Sequence, residues 1–134
     1  MLRDAMAHVL VVDDEPDSQE FVAKFLERQG HHVSTADDGR AALRQLLAGE
    51  HDLVLLDVRM PRLDGVGLLE VMRAYLRWHG LPVIVLSAHA TPVQLERLKQ
   101  MGVTNVFHKA SFRLADLATA VDDAITGPPG SLPA

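Results

Sequence analysis

The sequence contains no cysteine, which removes disulfides, thiolate metal sites and cysteine nucleophiles from consideration. No apolar run approaches the roughly 20 residues needed to cross a bilayer, and Met1 to Ala7 lacks the apolar core of a secretory signal. A soluble, cytoplasmic protein is expected. Basic charge is also short: 13 Lys and Arg stand against 18 Asp and Glu, for a net charge of −5, and the basic residues are scattered. Neither a nucleic-acid partner nor a membrane partner is expected from such a surface. There is no internal repeat. What is present is ordinary globular composition, 48% hydrophobic and 23% charged, in 134 residues that suit one compact domain.

The apolar residues fall in short runs divided by turn signals. His8-Val9-Leu10-Val11-Val12 is the first, and it ends in Asp13-Asp14-Glu15 with Pro16 next, a residue suited to the first turn of a helix. Phe21, Val22, Phe25 and Leu26 then share one helical face, and Gly30 closes the segment. His32 to Ala36 is a weaker run, and His31-His32 reads as its polar beginning because no third metal ligand lies nearby. Asp37 or Asp38 can cap a helix carrying Ala41, Ala42, Leu43, Leu46 and Leu47, ended by Gly49.

Leu53-Val54-Leu55-Leu56 is apolar throughout, as in a parallel strand buried on both faces, and it stops abruptly at Asp57. A third helix is predicted to hold Val66, Leu68, Leu69, Met72, Leu76 and Trp78 before Gly80-Leu81-Pro82 breaks it. Val83 to Leu86 is the fourth run and ends in Ser87; Thr91 and Pro92 then begin a helix carrying Leu95, Leu98 and Met101. A fifth run, Thr104 to His108, ends in Lys109. Ser111 can cap a last helix with Leu114, Leu117, Ala118, Val121 and Ile125 on one face. Five strands alternating with five helices predict an α/β fold with a doubly wound parallel sheet.

Chemistry in such sheets gathers where the loops leave the carboxyl ends of the strands. Asp13 and Asp14, Asp57, Ser87 and Lys109 each follow a strand at once. Taken singly, each has an ordinary explanation as a turn, a cap or a solvated charge. Taken together, three carboxylates in one crevice repel one another unless a cation sits between them, and hard oxygen ligands around an open site suit Mg²⁺. A lysine and a hydroxyl beside them are what a phosphoryl group on Asp57 would need, and aspartate is a competent nucleophile toward phosphorus. Gly65-Val66-Gly67 is discounted as a dinucleotide loop, because it does not follow a strand directly and lacks the third glycine.

Over about residues 8 to 126 the chain resembles the receiver domain of two-component response regulators. The likeness rests on Val11-Val12-Asp13-Asp14-Glu15, on Asp57-Val58-Arg59-Met60-Pro61 with Asp64-Gly65, on Leu86-Ser87-Ala88, and on Lys109. It implies a flavodoxin-like (βα)5 sheet of strand order 2-1-3-4-5. It also implies Asp57 as phosphoacceptor, Ser87 as switch hydroxyl, Lys109 as phosphate contact, and Mg²⁺ held by Asp13, Asp14, Asp57 and the Arg59 carbonyl. The phosphodonor would be a histidine kinase or histidine phosphotransfer protein. The downstream partner is not specified, and a homodimer through the fourth helix, fifth strand and fifth helix is a further expectation. Residues 1–7 are then an N-terminal extension, 8–126 the receiver domain, and 127–134 a flexible tail or linker stub.

The chain is expected to be a switch rather than an enzyme, limited to self-phosphorylation from small donors and self-dephosphorylation. Two alternatives remain. An aspartyl-phosphate hydrolase would commonly need a second acid two residues after the nucleophile, where Arg59 stands. A flavodoxin-like cofactor binder would leave the polar edge unexplained. Two departures from the family also matter. Ala110 follows Lys109 where proline, often cis, is common, so this loop is expected to be trans or rearranged. The position three before Lys109 is Val106 rather than an aromatic, and alternation sends Phe107 to the opposite face. Arg59 and His89, each two residues beyond a site residue, are expected at the rim as modulators of phosphoryl lifetime.

Overall fold

The computed structural model describes residues 7–60 and 62–126. Its elements follow the predicted alternation: β1 (His8–Val12), α1 (Pro16–Arg28), β2 (His32–Ala36), α2 (Gly39–Ala48), β3 (Leu53–Leu56), α3 (Gly65–Ala74), β4 (Val83–Ser87), α4 (Pro92–Gln100), β5 (Asn105–His108) and α5 (Leu114–Thr126). The strands form one parallel sheet in the order β2-β1-β3-β4-β5, the expected flavodoxin-like arrangement. The N-terminal extension before Ala7 and the tail from residue 127 lie outside the described residues. Ala7 itself is buried, and its carbonyl accepts from the His32 N–H at 2.9 Å.

Strand alternation divides the core into two layers. Leu10, Val12, Val54, Leu56, Val83 and Val85 meet the inner faces of α2, α3 and α4. Val9, Val11, Leu53, Leu55, Ile84 and Leu86 meet α1 and α5 through Val22, Leu26, Leu117 and Val121. The central strands β3 and β4 are buried at every residue, which explains why they read as unbroken apolar runs.

Helix ends follow local chemistry. Asp38 caps α2 by accepting from the Ala41 N–H, Asp64 caps α3 by accepting from the Gly67 N–H, and Thr91 with Gln94 forms a reciprocal capping box on α4. At α1 the residue before Pro16 is Glu15, whose side chain makes no capping bond because it is engaged elsewhere.

Three expectations need correction. The third helix does not run through to Trp78: it stops at Ala74, Tyr75 is extended, and Leu76–Trp78 forms a separate 3₁₀ turn. Arg73 holds this break by donating to the carbonyls of Trp78, Leu81 and Met101 at 2.8–3.0 Å. Trp78 is thereby buried, while Leu76, expected on the buried stripe, is 95% exposed. Ser111 does not cap the last helix. Its N–H donates to the His108 carbonyl, and the first turn of α5 closes instead on the Arg113 carbonyl. Phe21, expected to share the buried face of α1, is 54% exposed because the core beneath α1 is filled by Val22, Ala23 and Leu26.

Candidate functional site

At the carboxyl edge, β1 delivers Asp13, β3 delivers Asp57, β4 ends in Ser87 and β5 delivers Lys109. Asp13, Asp57 and Ser87 are buried there, which is unusual for such groups without partners. For the two carboxylates the partner is Lys109. Its Nζ lies 2.8 Å from Asp13 Oδ2, 2.9 Å from Glu15 Oε1 and 3.1 Å from Asp57 Oδ2. Asp14, exposed, completes a group with Asp13 and Asp57 in which one carboxylate oxygen from each lies within 4.8 Å of the others.

Three carboxylates therefore share one ammonium, and a fourth, that of Asp14, stands close to two of them. Burial pushes the Asp57 carboxyl up from its ordinary value, against the opposing pull of Lys109 and the Ser87 hydroxyl. For Lys109 burial works against the charged form, but hydrogen bonds to Asp13 and Glu15, reinforced by Asp57, prevail and hold it above its ordinary value. The edge carries more negative charge than its lysine neutralises. Three oxygens at this spacing fit a hard divalent cation with metal–oxygen bonds of about 2.1 Å after small side-chain movements.

The loop leaving β3 is pressed against its surroundings. A Cβ at Gly65 would come within 2.6 Å of the Asp57 carbonyl oxygen, so only glycine fits there. Arg62 adopts a left-handed φ of 63° and its Nε bonds Asp38 Oδ2 at 2.9 Å, while Gly39 N–H donates to the Leu63 carbonyl. The Arg59 N–H donates to Asp57 Oδ1 at 3.3 Å, and the His89 N–H reaches Ser87 Oγ at 3.4 Å. Above Asp57 lies a cleft of about 580 Å³ whose walls include Arg59, His89, Met60, Asp64 and Gln94.

Asp13, Asp14, Asp57 and Lys109 are thus brought together, with Ser87 at the adjoining strand end and Arg59 and His89 on the cleft wall. Val106 is set apart. Its register partner is Val85, and it is 41% exposed, whereas Phe107 pairs with Leu86 and packs on the opposite face against Phe112 with ring centroids 6.4 Å apart. The motif includes Glu15 without assigning it the contact with Lys109, and it leaves out Gln19. Gln19 Nε2 donates to the carbonyls of Asp13 and Ala36 and to Asp37 Oδ1, tying the exits of β1 and β2 together. The acidic run Asp13-Asp14-Glu15 was the visible signal for Glu15; nothing local marked Gln19.

The chain matches the family model of the response regulator receiver domain over residues 9–122, and it belongs to that family. Receiver domains are signalling switches that accept phosphate from histidine kinases and are linked to output domains. Among curated proteins, it is 36% identical over 120 residues to the transcriptional regulatory protein GlrR of Escherichia coli, covering 89% of this chain and 26% of that protein. It is 32% identical over 101 residues to the signal transduction histidine-protein kinase BarA of the same species, covering 75% of this chain and 11% of BarA. The chain therefore spans about a quarter or less of these relatives. Among solved structures it is similar to the chemotaxis protein CheY4 of Vibrio cholerae, with TM-score 0.81, 29% identity, and coverage of 90% of this chain and 99% of that one. It is also similar to the response regulator TrrA of Thermotoga maritima in complex with Mg²⁺ and beryllium fluoride, with TM-score 0.77, 29% identity, and coverage of 89% and 99%. No helix among the described residues is long and apolar enough to cross a membrane.

Proposed function

We propose that the chain is a cytoplasmic phosphorylation switch in which Asp57 takes a phosphoryl group from a histidine kinase or histidine phosphotransfer protein. The observation that carries this reading is the Lys109 ammonium held at 3.1 Å from a buried Asp57 carboxylate in the bed of an open cleft. In the transfer, an Asp57 carboxylate oxygen attacks phosphorus while the P–N bond of phosphohistidine breaks and its electron pair leaves with the imidazole. Lys109 turns from the carboxylates toward the phosphoryl oxygens, and the Ser87 hydroxyl donates to another of them. Asp13, Asp14, Asp57 and the Arg59 carbonyl would hold Mg²⁺, which supplies charge neutralisation that the single ammonium cannot.

Arg59 and His89 stand where water must approach the phosphoryl group, and we assign Arg59 the larger part in shielding it. The partner face is α4, β5 and α5, each carrying an exposed apolar residue: Val93 at 79%, Val106 at 41% and Leu114 at 38%. A downstream partner or a second copy of the chain would use it. The test is intact-mass spectrometry after incubation with Mg²⁺ and acetyl phosphate. One phosphoryl adduct is expected on the wild type and none on Asp57→Asn; an undiminished adduct on that variant would falsify the assignment.

A further inference from the structure

We infer that His108 is a positioning residue for Lys109, fixing the turn from which the lysine reaches the phosphoryl site; this rests on the phosphoacceptor reading above. A lysine ammonium is a point charge on a flexible four-carbon stem, so its placement depends on how firmly its backbone is held. On the strand side the Lys109 N–H donates to the Ser87 carbonyl at 3.2 Å. On the far side the chain leaves the sheet at once, through Ala110 and Ser111, both exposed. There the Ala110 N–H donates to His108 Nδ1 at 3.1 Å, and the Ser111 N–H donates to the His108 carbonyl at 3.1 Å. One residue thus closes both bonds of the turn that follows Lys109.

The arrangement is chemically specific. Residue 110 must possess an N–H, and the imidazole must be neutral with its proton on Nε2, leaving the Nδ1 lone pair to accept. The bond is the histidine counterpart of the turn in which Asn or Asp accepts from the N–H two residues on. Asn at position 108 should therefore reproduce it, and Val should not. The imidazole does not reach the carboxylates itself, so His108 acts through Lys109 and touches no reacting atom.

The test compares wild type, His108→Val and His108→Asn in the full chain by three measurements. Amide exchange at Ala110, read by NMR without any phosphoryl ligand, should quicken in His108→Val and return toward wild type in His108→Asn. The apparent affinity for beryllium fluoride in Mg²⁺ should fall roughly threefold to tenfold in His108→Val and recover in His108→Asn, the range expected for loss of one modest hydrogen bond. Mg²⁺ affinity alone should change less than beryllium fluoride affinity, since the acidic side chains keep their own backbone anchors and only their Lys109 partner is loosened. Equal beryllium fluoride affinity in wild type and His108→Val overturns the inference while leaving the phosphoacceptor reading intact. A wild type that binds no beryllium fluoride overturns that reading, and the inference with it.

Discussion

The two strands that carry the reacting charges are built differently. β3, which presents Asp57, lies between β1 and β4 with every residue buried, and its exit loop is tied to α2 by the Arg62–Asp38 ion pair and by Gly39. β5, which presents Lys109, is an edge strand whose four residues are exposed except for Phe107, and its exit loop is held by the short turn at His108. The two opposite charges of the candidate site thus rest on parts of one sheet that differ in burial. A switch needs this asymmetry, because the bistable element must come from the less stable end of the structure while the chemistry stays in place.

Truncation should cost most in β3. Leu55→Ala, at a site only 2% exposed, should cost about 3 kcal/mol by urea denaturation, because the transfer loss is joined by a cavity that close-packed neighbours cannot fill. A cost below about 1 kcal/mol would show that β3 is not the rigid member.

Next in size is the lifetime of the phosphoryl group. Arg59 is exposed on the cleft wall and can form a forked contact with phosphate oxygens, displacing and misorienting water. Arg59→Asn with His89 intact should shorten the lifetime of phospho-Asp57 by about tenfold, the lower end of what lost positioning can change. Decay of the phosphorylated protein followed by mass spectrometry checks this; an unchanged or longer lifetime shows that Arg59 is not the shield.

A smaller effect separates the two exit loops by pH. The Ala41 N–H holds the Asp38 carboxyl below its ordinary value, helped by the nearby Arg62 guanidinium, while partial burial opposes them. A depressed folded pKa means that this stabilisation is present above the unfolded value of 3.8 and is lost as pH falls through the lower folded value. Asp38→Ala should therefore cost about 1 kcal/mol at neutral pH, mostly through the lost cap. Asp38→Asn, which keeps an acceptor, should cost less, and its deficit relative to wild type should vanish in strong acid. A deficit that persists there would mean that the charge on Asp38 is not what anchors the loop.

The same contrast explains what could be read in the chain beforehand. Unbroken apolar runs ending in Asp57 and Ser87 announce β3 and β4, and a parallel sheet then forces Asp13, Asp57 and Lys109 to one edge. The cap at Thr91 sits where short-range chemistry puts it, and of the two candidates Asp37 and Asp38 it is Asp38 that caps α2. What was not legible depends on long-range partners. Arg73 looks like an ordinary helix-surface charge, yet its three carbonyl partners are contributed by segments 5 to 28 residues away, and they end α3 early. Glu15 reads only as the end of an acidic run, and its partner Lys109 lies 94 residues on. Ser111 is chemically suited to cap α5, but the helix begins only at Leu114 and its first turn closes on the Arg113 carbonyl, which leaves Ser111 too far upstream to cap it.

The smallest expected effect is at Val106, and it bears on how the adjustable side responds. The side chain is 41% exposed beside Val85, so Val106→Ala should change the unfolding free energy by no more than about 0.5 kcal/mol. The aromatic of β5 is Phe107, packed with Phe112 on the far face, where it cannot turn into space vacated by Ser87 without crossing the sheet. Movement of the Ser87 hydroxyl toward a phosphoryl group therefore leaves only a small side chain to follow it. Beryllium fluoride with Mg²⁺ should produce amide shifts centred on α4, β5 and α5 that are modest in size and little altered by Val106→Ala. Shifts confined to α1 and α2 would contradict that placement, and a Val106→Ala variant that lost the α4 shifts would show that even this small residue couples the site to its face.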